Sequence, residues 1–63
     1  MVEIIEIIGT SGKSWEDAVI NGLEKLSKEG KITGIDVKGF KAVVRDNKIT
    51  EYRANMKVAL IKE

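Results

Sequence analysis

The chain has no cysteine and no histidine, and only one Phe, one Tyr and one Trp. Without cysteine there are no disulfides, zinc–thiolate sites or iron–sulfur clusters. Without histidine, the commonest general base and the commonest transition-metal ligand are gone. Of the nucleophilic triads only Ser-Lys variants remain, and no catalytic constellation is visible, so the chain is not read as an enzyme. Three aromatics are too few for a base-stacking platform. With 11 basic against 10 acidic residues there is no cationic excess either, so no nucleic-acid partner is expected. No apolar run approaches the roughly 20 residues that span a bilayer, so no membrane is expected. Glu3 and Glu6 interrupt the first apolar run and no basic region precedes it, which does not fit a signal peptide. A cytoplasmic protein is the expectation.

The 63 residues make a single domain, 1–63. A domain of this size buries only about 60% of its unfolded surface. With disulfides and zinc–thiolate sites excluded, oligomerisation is the remaining source of stability. The last stretch is the clearest pattern. Thr50, Tyr52, Ala54, Met56, Val58 and Leu60 alternate with Glu51, Arg53, Asn55 and Lys57. Period two over this length marks a long strand with one apolar and one polar face. Such a strand is too long for so short a chain to cover, so other copies are expected to help.

Val2–Ile8 is a second strand, rich in β-branched residues. Both its faces are apolar: Val2, Ile4 and Ile8 on one, Ile5 and Ile7 on the other. Either some isoleucine is exposed or the second face meets a neighbouring subunit. Gly9–Lys13 reads as a turn. Ser14-Trp15-Glu16-Asp17 fits a capping box opening a helix. Trp15, Ala18, Val19, Gly22, Leu23 and Leu26 form its apolar stripe, with Ile20 on the flank and Gly30 expected as a left-handed C-cap. Gly22 inside the helix predicts close approach to a sheet. In 32–46, Ile35, Val37 and Val43 fall on one face and Phe40, Ala42 and Val44 on the other, with Gly39 suggesting a bulge. Asp46-Asn47 signals a hairpin. The fold class is therefore α+β with β-α-β-β order: a three-stranded antiparallel sheet of order 1-3-2 with the helix on one face.

Gly12-Lys13-Ser14 is a fragment of a phosphate loop, but the glycine required five positions before Gly12 is Ile7. The helix N-terminus alone remains able to attract an anion. The acidic residues show no calcium-loop or paired-ligand spacing, which leaves metal sites unassigned. Glu6, amid isoleucines, suggests a structural salt bridge, within the chain or across a subunit interface. Arg53, Lys57 and Lys41 gather on one sheet face. That face is either solvated or folded by oligomerisation into a pocket for an anionic ligand. Trp15 reads as core packing.

Gly9-Thr10-Ser11, Ser14-Trp15-Glu16-Asp17-Ala18, Ile49-Thr50-Glu51-Tyr52-Arg53 and Lys57-Val58 together resemble the dodecins. The resemblance covers nearly the whole chain. It implies a hollow homododecamer whose sheet partly wraps the helix. It also implies a flavin (riboflavin, FMN or FAD) held as stacked pairs between subunits, for storage rather than catalysis. Coenzyme A or calcium is a further ligand that the resemblance implies. The family's flavin-stacking tryptophan lies eighteen residues before the tyrosine of the last strand, which here is Gly34, and its flavin-contacting glutamine is Arg53. With both cofactor-binding positions substituted, flavin binding is expected to be weakened or lost. The alternative is an assembly of the same kind that binds another anionic ligand or a metal ion, or that is a purely structural particle.

Overall fold

The computed structural model describes residues 1–62. Strand β1 (Val2–Ser11) leads through a short turn into helix α1 (Trp15–Leu26), then into the long strands β2 (Lys31–Arg45) and β3 (Lys48–Ile61). The sheet order is β1-β3-β2, and both pairings are antiparallel. The expected topology is therefore the observed one, and it has a simple cause. The tight turn between β2 and β3 makes them neighbours, and β3 is the strand with one uninterrupted apolar face. That turn is Asp46-Asn47, with φ of 52° and 62°. Two consecutive left-handed residues twist the chain in the sense a two-residue hairpin needs.

β1 runs three residues further than the sequence suggests. Gly9, Thr10 and Ser11 stay in register opposite Ala54, Arg53 and Tyr52, so only the next few residues turn. The reason is the helix. A Cβ on Gly9 would strike the carbonyl oxygen of Ala18, and one on Gly22 would come within 2.5 Å of the Met56 methyl. Two glycines and Ala18 thus let α1 lie almost on the backbone of β1. This is the close approach that Gly22 implied.

The helix starts as predicted: Ser14 accepts from the Asp17 amide at 3.0 Å. The reciprocal half of the box is absent. The Asp17 carboxylate instead accepts from the Ser11 hydroxyl at 2.7 Å and from Asn21 at 3.4 Å, tying the helix to the end of β1. The other end also differs from expectation. The cap is Ser27 in a right-handed conformation, and no glycine has positive φ. Gly30 serves close packing, since a Cβ there would collide with the Ile61 carbonyl.

The two-faced reading of β2 is corrected by its bulges. Register shifts at 32/34 and 37/39 insert Thr33 and Lys38 as extra residues. Each insertion restores the parity that the sequence had broken. Ile32, Ile35, Val37, Phe40 and Ala42 then all oppose the apolar face of β3, at Leu60, Val58, Met56, Ala54 and Tyr52. The core is Ala18, Ala54, Met56 and Val58, with Leu60 also buried. The helix packs chiefly on β1, less on β3 and least on β2. Phe40, on the uncovered flank, is 57% exposed.

The molecule measures 46 × 18 × 12 Å, with a radius of gyration of 12.7 Å, against about 11 Å for a globule of this length. Its accessible surface of 4569 Å² exceeds the about 4,000 Å² usual for its mass. The shape itself leaves apolar surface without cover.

Candidate functional site

The face of the sheet turned away from α1 carries no layer in this structure, and both predicted site residues lie on it. Its organisation follows from register, which ranks the side chains in rows across β1, β3 and β2. Ile4, Ala59 and Gly34 form one row, Glu6, Lys57 and Asp36 the next. Ile8, Asn55 and Gly39 follow, then Thr10, Arg53 and Lys41. Gly34 and Arg53 therefore share a face, but Ala59 and Arg53 are six residues apart on β3, roughly 20 Å. One chain does not bring them together.

Around Gly34 the face is flat and apolar. A Cβ there meets nothing within 4 Å, so the space a larger side chain would need is open. Val2 and Ile4, beside it, are 63% and 62% exposed, and Ile8 is 56% exposed. This is the unusual second apolar face of β1, with an acid in its middle.

The charges are mostly matched. Glu6 meets Lys57 at 3.6 Å, Asp36 meets Lys38 at 3.1 Å, and Glu51 meets the Arg53 Nε at 2.6 Å. Glu6 thus forms the expected salt bridge within its own chain, and its side chain is well exposed. Exposed pairs of this kind contribute about 0–1 kcal/mol. Lys41 has no ion-pair partner among the described residues. It faces Arg53 directly across the ladder, so sequence rightly grouped these two cations. Lys57 stands two rows away. Thr10, the third member of the row, escaped the sequence reading because only the β1–β3 register brings it there.

Trp15 sits on the helix side behind this row. Its indole N–H donates to the Lys41 carbonyl at 3.0 Å. Its ring makes edge contacts with Tyr52 at 4.9 Å and Phe40 at 6.1 Å between centroids. The expected core role is thus only partly realised, since Trp15 remains 38% exposed. The Gly12-Lys13-Ser14 fragment wraps no cavity. The Lys13 amide donates to the Ser11 hydroxyl, and the helix start is already served by Ser14 and Asp17. No group of three or more acidic side chains able to hold a metal occurs among the described residues. No helix among them is long and apolar enough to cross a membrane.

The dodecin family model matches residues 1–62. No curated protein matches the chain significantly. Among solved structures, the fold is similar to a dodecin from Streptomyces davaonensis, at 23% identity over 100% of this chain and 96% of that one, with a TM-score of 0.90. A dodecin from Streptomyces coelicolor is similar at 20% identity over 100% and 93%, with a TM-score of 0.91. An arginine-to-alanine variant of the Thermus thermophilus dodecin is similar at 22% identity over 100% and 97%, with a TM-score of 0.90.

Proposed function

The chain belongs to the dodecin family, and from that premise we propose that it forms a hollow homododecamer that binds and stores a small molecule without catalysing a reaction. The observation that carries the reading is the uncovered sheet face. Val2, Ile4 and Ile8 stand exposed on it in a chain whose family match spans residues 1–62. Assembly removes such surface from water at about 25 cal/mol per Å². A cytoplasmic location fits this reading.

Flavin is the family's default ligand, and this chain binds it weakly or not at all. Gly34 offers no ring where the resemblance places a stacking tryptophan. Aromatic stacking contributes about 0.5–1.5 kcal/mol beyond area burial, so losing one ring from each side of a flavin pair costs several kcal/mol once burial is added. Arg53 presents only donors where a glutamine presents a donor and an acceptor. A second reading follows from Arg53 and Lys41: the same shell holds an anionic ligand other than flavin.

Light scattering after size exclusion tests the shell, and a stable monomer refutes it. Riboflavin fluorescence tests the ligand. We expect little quenching at micromolar riboflavin for the parent and clear quenching for the double variant Gly34→Trp/Arg53→Gln. Strong quenching by the parent would overturn the reading of Gly34. Mass spectrometry of molecules released from the native oligomer identifies the resident ligand, and finding none favours a purely structural particle.

A further inference from the structure

We infer that the row Thr10–Arg53–Lys41 is an anion subsite built to take one phosphate monoester group. The argument begins with the ladder. Thr10, Arg53 and Lys41 are consecutive Cα partners across β1, β3 and β2, so their side chains rise side by side from the face that carries no layer. Directly opposed residues of an antiparallel pair lie about 4.5–5.5 Å apart, and like charges in that position destabilise the sheet. Arg53 and Lys41 occupy such a position in the β2–β3 pair, between the bulges at 37/39 and 43/44. Nothing in the fold requires two cations there, because neither side chain faces the core.

The local countercharge is incomplete. Among the described residues, Glu51 is the only carboxylate paired with the row, and it contacts Arg53 through Nε at 2.6 Å. That contact fixes the guanidinium plane. It leaves both terminal Nη groups with no hydrogen-bond partner among the described residues. A planar guanidinium presents two parallel donors that match two phosphate oxygens, whereas an ammonium acts as a point charge. Lys41 has no ion pair among the described residues, and the Thr10 hydroxyl adds a neutral donor on the other side. The row thus holds two cations, one anion and one hydroxyl, a net charge that suits one anionic group. Rows nearer Gly34 do not share this character: there Lys57 and Lys38 each have their own carboxylate.

The flat row of Ile4, Ala59 and Gly34 lies roughly 20 Å away along β3, so one small ligand does not reach both within a single chain. The subsite accordingly selects for the charged end of a ligand. This deepens the second reading above and rests on it for the presence of a ligand, but the row itself is complete within one chain.

The test is calorimetric titration of the full chain with inorganic phosphate at fixed ionic strength, with acetate and chloride in parallel. Saturable binding is expected for phosphate, at least tenfold tighter than for acetate or chloride. Lys41→Ala and Arg53→Gln should each weaken phosphate binding about tenfold or more. Glu51→Gln should strengthen it several-fold, by removing a competitor for the guanidinium. Lys62→Ala, far from the row, should leave it unchanged. Equal binding of all three anions, or parent-like binding by Lys41→Ala/Arg53→Gln, overturns the assignment. So does loss of binding in Lys13→Ala with Lys41→Ala unaffected, which moves the anion to the helix start. Light scattering on the same samples separates the two failures: a monomer that binds phosphate at this row defeats the shell and not the subsite.

Discussion

The two faces of this sheet are made by the same three strands and meet opposite fates. On the helix side, Ala54, Met56, Val58 and Leu60 are 0–2% exposed. On the other side, Val2, Ile4 and Ile8 keep more than half their surface in water. Composition does not account for the difference, since β1 contributes isoleucine to both. What differs is the backbone above them. Gly9, Gly22 and Ala18 allow one helix to sit directly on β1 and the inner edge of β3, and the described residues form no second helix for the other face. A domain of 63 residues can afford one layer of cover. The side it leaves bare is where Gly34, Arg53 and Lys41 lie.

Substitutions on the two faces should therefore separate cleanly. The largest effect is expected from Met56→Ala, which empties the centre of the core beneath Gly22. Loss of a buried Met side chain costs about 2–5 kcal/mol. Urea denaturation should show this loss at every protein concentration. A loss that vanishes on dilution would assign Met56 to assembly instead. Gly9→Ala comes next, at about 2 kcal/mol, because the added methyl meets a helix carbonyl that cannot rotate away. An unchanged midpoint would mean that the helix is free to lift from β1. Ser14→Ala removes the hydroxyl that accepts from the Asp17 amide and should cost about 1 kcal/mol.

The smallest effect on the chain's own fold belongs to the open face. Ile4→Thr combined with Ile8→Thr should stay within about 0.5 kcal/mol for the isolated chain, as exposed substitutions do. The same pair should reduce the oligomer seen by light scattering, and with it the concentration dependence of the melting temperature. If the pair instead unfolds the monomer, the two faces are not distinct in the way their exposure indicates.

Much of this was legible beforehand. The alternation from Thr50 to Leu60 identified the central strand, and Ser14 located the helix start. Asp46-Asn47 marked the hairpin, and Gly22 the close approach. The misreadings share a cause. Gly9–Ser11 looks like a turn because glycine and serine favour turns, yet these residues are held in the ladder by Ala54, Arg53 and Tyr52. Gly30 looks like a left-handed cap, yet its smallness serves contact with Ile61. Both depend on partners far away in the chain, which local preference does not contain. The site divides in the same way. Arg53 and Gly34 are candidates through the family resemblance, and Lys41 through its charge. Thr10 joins them only through register.

The sequence alone determined the element order and the strand that lies at the centre. These rest on period, on turn chemistry and on residue identity, all local along the chain. Tertiary structure alone decided which face of β2 is apolar, because Thr33 and Lys38 shift its parity only when paired against β3. It decided too that Arg53 faces Lys41 and Thr10 while Gly34 stands well apart. Distances across a sheet are set by hydrogen-bond register, and register is a property of two strands together.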